Sequence, residues 1–308
     1  MAIIARRIIL EDKAQVMAIA EKTWEGHDYL PNVFDKWLAD ESGAFLALEK
    51  ECKIAALAKI TLHAPGEVWL EGLRVAPDVQ GKGYADLMTK YLLWYVQRYN
   101  PQNIAFATGN DNHASRHVGE KYGFVLLTEY LAYGGKVNRR FAKWDEGLLL
   151  KDSKQIYDFV AAGEAMAKLQ GYLCYGWTYK KLKRHLVDEF VREGLAWGVS
   201  DFTGLRSLIL VTNIWQHYIH TSFLAGDNED YPQLFAMLHY YAKEQGQDWI
   251  DSFDGLGQLS ANYRQLKLNL IHHESFRSVV LYSLPTNVWQ SRLTGMQNEL
   301  QNLGIELG

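Results

Sequence analysis

Apolar residues recur at Tyr84, Leu87, Met88, Tyr91, Leu92, Tyr95 and Val96. This is the spacing of one face of an α-helix, and it predicts a helix over Gly83–Tyr99 with a single buried stripe. On either side the pattern changes period. Ile3–Ile9 reads as a strand, Glu11–Trp24 as a helix with Val16, Ile19 and Ala20 on one side, and Val33–Leu38 as a second helix. Ala44–Leu48 and Ile54–Leu62 alternate and carry small or branched residues, as hairpin strands do. Glu67–Val75 is the next strand. After the striped helix come a short strand at Ile104–Thr108, a helix at Asn112–Tyr122 and a strand at Phe124–Leu131.

The pattern loosens around Lys143–Ser153, which predicts a domain boundary there and domains of residues 1–147 and 148–308. Beyond it, Gln216–Ala225 reads as a strand, Asp230–Glu244 as a helix and Asp248–Asp254 as a strand. Leu259–Leu270 then reads as a helix and Ser278–Leu284 as a strand. This is the element order of Glu67–Leu131 again, about 150 residues later. The expectation is a mixed α/β (α+β) chain of two tandem copies, each a mixed central sheet flanked by helices. Tyr172, Tyr175, Trp177 and Tyr179 form an aromatic-rich strand, read either as core of the second copy or as part of a cleft wall.

Composition narrows the class. The 308 residues are 48% hydrophobic and 22% charged, enough for more than one compact core. The net charge of −4 argues against general nucleic-acid binding, which calls for a basic excess. Cys52 and Cys174 are far apart and form no CxxC pair, so neither a disulfide scaffold nor a cysteine zinc site is expected. Met1–Leu10 is interrupted by Arg6-Arg7 and lacks the form of a signal peptide, and no apolar run is long enough to span a bilayer. The expectation is a cytoplasmic protein that engages no membrane.

The segment Gln80-Gly81-Lys82-Gly83-Tyr84-Ala85 stands between a predicted strand and the N-terminus of the striped helix. The first N–H groups of a helix lack internal partners and carry partial positive charge. Glycines let the backbone approach a phosphate closely, and Lys82 adds a cation. The spacing is neither the dinucleotide fingerprint nor the P-loop. At the corresponding place the second copy has Gly226-Asp227-Asn228-Glu229-Asp230-Tyr231-Pro232, whose acidic residues suit a helix start and repel a pyrophosphate.

Leu73-Arg74-Val75-Ala76-Pro77 followed by Gln80-x-x-Gly83-x-Ala85 resembles the acyl-CoA loop of the GNAT superfamily of N-acetyltransferases. The predicted order of the first half is that family's order, so the resemblance implies two tandem GNAT-like domains. The first is expected to bind acetyl-CoA as cosubstrate, and the second to be degenerate. It further implies backbone contacts to the acyl-pantetheine arm from Leu73 and Val75, a pyrophosphate held by Gln80, Gly81, Lys82, Gly83, Tyr84 and Ala85, and a pantetheine contact from Asn112. No metal is implied.

Glu71 is the candidate general base, since it precedes Leu73 by two residues on the strand that meets the acetyl group. Period-2 alternation puts Glu67, Trp69, Glu71 and Leu73 on one face unless a bulge intervenes. A buried Glu satisfied by Arg74 or by backbone is the competing reading. The family's acid, a Tyr seven residues after the helix-opening Asn, falls on Gly119, which has no side-chain proton to give. Tyr122 reads as core. His113 and His117 have metal-compatible spacing but no third ligand nearby, so a solvated face is expected. His217 and His220 fall on opposite faces of a strand, and His272-His273 reads as a helix-end pair.

The loop Trp24–Pro31 occupies the acceptor wall of such a fold, where Asp28 is a candidate partner for a substrate cation and Tyr29 for stacking on it. His27-Asp28-Tyr29-Leu30-Pro31, Trp37-Leu38 and Glu71–Pro77 resemble the subgroup containing the vertebrate histidine N-acetyltransferases. The implied activity is transfer of an acetyl group to a primary amine of a small molecule or amino acid. A non-catalytic acyl-CoA sensor and an acetyltransferase acting on protein amines are the alternatives.

Overall fold

The computed structural model describes residues 3–23, 26–214, 218–271 and 277–307. In chain order the first half contains β1 (Ile4–Arg7), α1 (Lys13–Glu21), α2 (Leu30–Leu38), β2 (Ala44–Lys50), β3 (Lys53–Ala64) and β4 (Glu67–Val75). It continues with α3 (Tyr84–Tyr95), β5 (Asn103–Gly109), α4 (His113–Lys121) and β6 (Val125–Lys136). Then follow α5 (Ser153–Ala162), α6 (Glu164–Lys168), β7 (Tyr172–Tyr175), β8 (Thr178–Lys181), α7 (Arg184–Arg192), β9 (Ala196–Asp201) and β10 (Gly204–Ile214). The chain ends with β11 (Tyr218–Gly226), α8 (Tyr231–Glu244), β12 (Trp249–Asp254), β13 (Asn269–Leu270), β14 (Ser278–Leu284), α9 (Thr286–Asn302) and β15 (Glu306–Leu307). None of the described helices is long and apolar enough to cross a membrane.

Two compact units emerge, and they are not the sequence halves 1–147 and 148–308. Unit 1 is Met1–Phe106, Ala114–Val125 and Tyr282–Gly308; unit 2 is Ala107–His113 and Leu126–Leu281. A division at the loosened segment follows chain order. The strands instead exchange: β6 from the first half belongs to unit 2, while the end of β14 and all of α9 belong to unit 1.

In unit 1 the strands run β15-β1-β2-β3-β4-β5, parallel at β15–β1 and β4–β5 and antiparallel between. Glu51 and Cys52 both take positive φ (54° and 61°), which closes the β2–β3 hairpin tightly. One core packs α1 and α2 on the sheet through Val16, Ile19, Phe34, Trp37, Phe45 and Leu57. On α3, Tyr84, Met88, Tyr91, Leu92, Tyr95 and Val96 are buried as the stripe predicts, and Leu87 is half-buried. Thr89, Leu93 and Trp94 are buried as well, because α9 covers a second face that periodicity alone leaves open. Trp289 of α9 donates its Nε1–H to the Leu93 carbonyl at 2.8 Å, and Lys90 meets Glu299 at 2.6 Å.

In unit 2 the strands run β6-β12-β11-β10-β9, with β13 also on β6 and a separate β7–β8 hairpin. Trp197, Leu208, Leu210, Phe235 and Ile250 are fully buried there. The expected helix at Leu259–Leu270 does not form. Asp254 instead accepts backbone N–H bonds from Leu256, Gln258 and Leu259, fixing a series of turns. Lys267 takes φ +63°, and Asn269–Leu270 pair with β6. Pairing to a waiting strand edge outweighs the helical spacing of a segment rich in weak helix formers such as Ser260 and Asn262. The aromatic strand is the β7–β8 hairpin, where Tyr179 packs on Tyr130 at 4.7 Å and Trp177 on Phe253 at 6.0 Å.

Candidate active site

β4 organises the site. Its parallel pairing with β5 runs from Glu67↔Asn103 only to Trp69↔Ala105, yet β4 continues to Val75. From Leu70 onward the edge facing β5 is therefore open to an extended ligand. On the other edge, Lys59 pairs with Glu71 and Leu57 with Arg74, so Gly72 and Leu73 together oppose Ala58. This is a β-bulge, with Gly72 at φ +68°. Glycine is required there twice over, since an added Cβ would also stand 2.4 Å from Cη2 of Trp37. The bulge interrupts the alternation that would hold Leu73 on the face of Glu71.

Glu71 accepts a hydrogen bond from the Thr61 hydroxyl at 2.6 Å. Burial raises its pKa above the ordinary 4.5, and the Thr61 bond and the charge of Lys59 only partly oppose this. Arg74 is not its partner. Arg74 turns instead to Asp28, with Nε–Oδ2 at 2.8 Å and Nη2–Oδ1 at 3.0 Å. Asp28 also accepts from the Leu30 amide at 3.1 Å and is 7% exposed. The carboxylate expected to face a substrate cation is thus held by the chain's own guanidinium. Tyr29 lies beside this pair, its ring centroid 5.3 Å from the Arg74 guanidinium carbon and 5.9 Å from Trp37. Burial pushes the Tyr29 hydroxyl well above its ordinary pKa, so it stays protonated. Lys59, fully buried opposite Glu71, is neutralised by Asp40 and donates to the Ile60 carbonyl at 2.7 Å.

After β4 a short turn, Pro77–Val79, leads into the glycine loop. Gly81 and Gly83 take φ +74° and +84°, and Gly83 is the N-cap of α3. An added Cβ at either would meet no atom within 4 Å. These glycines are demanded by backbone conformation, and the space above them is free for a ligand. No side chain caps the first turn of α3, so the N–H groups that open it remain available to an anion. Tyr84 is buried and Ala85 half-buried, so both can contribute through backbone. Lys82 donates to the Asp78 carbonyl at 2.9 Å and Gln80 to the Val75 carbonyl at 3.4 Å.

Glu71, Leu73, Val75, Gln80–Ala85, Asp28 and Tyr29 all lie in unit 1. Asn112 is exposed, directly precedes α4 and belongs to the stretch Ala107–His113 of unit 2. At Gly119 a side chain is excluded physically: a Cβ would lie 2.6 Å from Cζ of Phe106. That ring stacks on Tyr282 at 5.1 Å, whose hydroxyl donates to Glu120 at 2.7 Å. Tyr122 is buried and donates to the Asp86 carbonyl at 3.2 Å. His113 and His117 are exposed. Trp24, Glu25, His217 and His272-His273 lie outside the described residues. Sequence reasoning missed Thr61, the packing of Trp37 against Gly72 and the Asp28–Arg74 pairing, since each depends on a strand register or a loop fold that no local pattern carries.

Residues 13–124 match the acetyltransferase (GNAT) family. The histidine N-acetyltransferase of Oreochromis niloticus is 31% identical over 116 residues, which cover 37% of this chain and 34% of that protein. The match thus spans about a third of the relative's length. Among solved structures, a GCN5-related N-acetyltransferase from Sphaerobacter thermophilus superposes with a TM-score of 0.62 at 12% identity, covering 91% of this chain and 95% of that one. A tandem GNAT protein from the clavulanic acid biosynthesis pathway gives 0.54 at 12% identity over 91% of this chain and 98% of that one. At such identities the likeness is one of fold, and it extends over both units. The likeness to the acetyltransferase (GNAT) family thus rests on residues 13–124, the stretch that carries β4, the glycine loop and α3.

Proposed function

We propose that the protein is an acetyl-CoA-dependent N-acetyltransferase acting on the primary amine of an amino acid or other small molecule. In this reading residues 1–147 supply the catalytic residues, and residues 148–308 carry a degenerate copy without a pyrophosphate loop. The observation that carries the reading is Glu71: a half-buried carboxylate with a raised proton affinity, on the strand that parts from its neighbour beside an uncapped, glycine-led helix N-terminus.

The chemistry follows from these positions. The N–H groups of Gln80–Ala85 bind the pyrophosphate, and the open edge of β4 at Leu73 and Val75 aligns the pantetheine arm. The cosubstrate supplies an electrophilic thioester carbon. Glu71 takes a proton from the acceptor ammonium, leaving a neutral nitrogen that forms the new N–C bond as the C–S bond breaks. A backbone N–H near Leu73 stabilises the charge on the carbonyl oxygen. With glycine at 119, the leaving thiolate takes its proton from solvent or from the acceptor. Tyr29 and the Arg74–Asp28 pair form the acceptor wall, with Asp28 holding Arg74 rather than touching substrate. The similarity to a histidine N-acetyltransferase supports an amino-acid acceptor.

Gly119 favours one second reading, an acyl-CoA sensor without turnover. Thiol release from acetyl-CoA, measured with a panel of amino acids and polyamines, separates the two. Acceptor-dependent release establishes the enzyme, and silence with acetyl-CoA still bound moves the reading to a protein-amine acceptor or to the sensor. Glu71→Gln should lower turnover by about 100-fold or more at neutral pH while leaving acetyl-CoA binding unchanged; unchanged turnover removes Glu71 from the mechanism.

A further inference from the structure

Unit 2 repeats the divergence of strands seen in unit 1. β11 pairs with β12 from Ile219↔Ile250 to Thr221↔Ser252 and then runs on to Gly226. At the point of divergence lies a cavity of about 30 Å³ walled by Tyr130, Cys174, Thr221 and Phe253 among others. It adjoins a cleft of about 470 Å³ walled by Phe159, Ala165, Phe223 and Ala225. Phe223, Leu256 and Gln258 border both.

The inner end is polar in a particular way. Tyr130 and Thr221 are 1% and 4% exposed, and neither hydroxyl has a hydrogen-bond partner among the described residues. A buried hydroxyl left unpaired is costly, and these two line one cavity of water size, where each can donate. The other polar groups nearby are already satisfied. Cys174 Sγ and His220 Nε2 are 3.3 Å apart, and burial keeps both neutral, pushing the thiol up to about 12 and the imidazole down to about 3. The Asp254 carboxylate is occupied by three backbone amides.

At the outer end the anion cradle of unit 1 has no equivalent. Asp227 caps the Glu229 amide at 3.0 Å. Asp230 is held by Arg206 at 2.8 Å and by Ser207 at 2.6 Å. Between the two ends Phe159, Ala165, Phe223 and Ala225 form an apolar wall, Glu164 and Lys168 pair with each other at 2.8 Å on the α6 side, and the β11 edge past Thr221 offers backbone groups to an extended partner.

We propose that the opening between β11 and β12 is a second ligand site, specific for a small uncharged amide with short apolar arms. The ligand's carbonyl oxygen accepts from Tyr130 and Thr221. Its amide continues the edge of β11, and an apolar arm lies against Phe159, Ala165 and Phe223. An ion is disfavoured at the buried end, where hydroxyls offer no counter-charge, and an anion is disfavoured at the outer end by the carboxylates of Asp227 and Asp230.

The test is calorimetric titration of the full chain with N-propylbutanamide, in the presence and absence of saturating coenzyme A. Saturable binding that persists with coenzyme A is expected. Thr221→Val should weaken it at least tenfold, and Ala165→Phe, which fills the cleft from its outer side, should abolish it. Thr221→Val should melt no lower than the wild type, because it removes an unpaired hydroxyl without changing side-chain volume. If that variant fails to fold, Tyr130→Phe gives the same readout. The proposal is overturned by absence of saturable binding to the wild type, by binding that survives both substitutions, or by binding that coenzyme A displaces, which would assign the amide to unit 1.

Discussion

Burial makes Glu71 a better proton acceptor than an exposed carboxylate, and a single hydroxyl limits how far that goes. The acid form is favoured because the ionised form is poorly solvated, while Thr61 donates to the ionised form and pulls the other way. In the proposed mechanism Glu71 works only when deprotonated. The acid limb of kcat/KM is therefore expected to rise through a midpoint above the ordinary carboxylate value of 4.5. Thr61→Val removes the donor and should move that midpoint to higher pH. A pH–rate profile of the two proteins decides this, and a midpoint that does not move detaches Thr61 from the base. Asp28 teaches the opposite lesson: a carboxylate in the right loop is unavailable when an arginine on β4 claims both of its oxygens.

Two glycines of the β4–α3 passage answer to different constraints, and substitution separates them. Gly72→Ala meets both a positive φ and the Trp37 ring, so it should cost about 2–4 kcal/mol in urea unfolding. Gly83→Ala meets only the positive φ, with about 1–2 kcal/mol of cost. Its Cβ would nevertheless enter the space above the helix N-terminus, so acetyl-CoA affinity by calorimetry should fall at least tenfold. At this scale the sequence was informative where a local rule acts alone. The bounds of β4 and β14 follow from apolar runs, and the loop and the start of α3 follow from glycine spacing. The bulge at Gly72 was anticipated only as a possibility, because it depends on the register of β3 against β4. The full burial of α3 went unread because its cover, α9, comes from the far end of the sequence, and residues 259–270 went wrong because a strand edge competes for them.

The whole molecule is assembled by exchange. Unit 1 takes its last segment, Tyr282–Gly308, from beyond the whole of unit 2's chain. Within that segment Trp289, Met296 and Leu300 are buried. Removing three such side chains costs about 5–9 kcal/mol at the usual value of burial, comparable to the total stability of a domain. A fragment of residues 1–147 should therefore show no cooperative thermal transition, whereas the full chain does; a cooperative melt of the fragment would mean that unit 1 is complete without α9. The same exchange sets an order of events during synthesis. The phosphate loop and the candidate base leave the ribosome early, yet the helix that closes their hydrophobic core is translated more than 180 residues after α3, on the order of ten seconds or longer at typical elongation rates. Throughout that interval α3 has one apolar face uncovered, so the proposed acetyl-CoA site is expected to become competent only after α9 has been made and has covered that face.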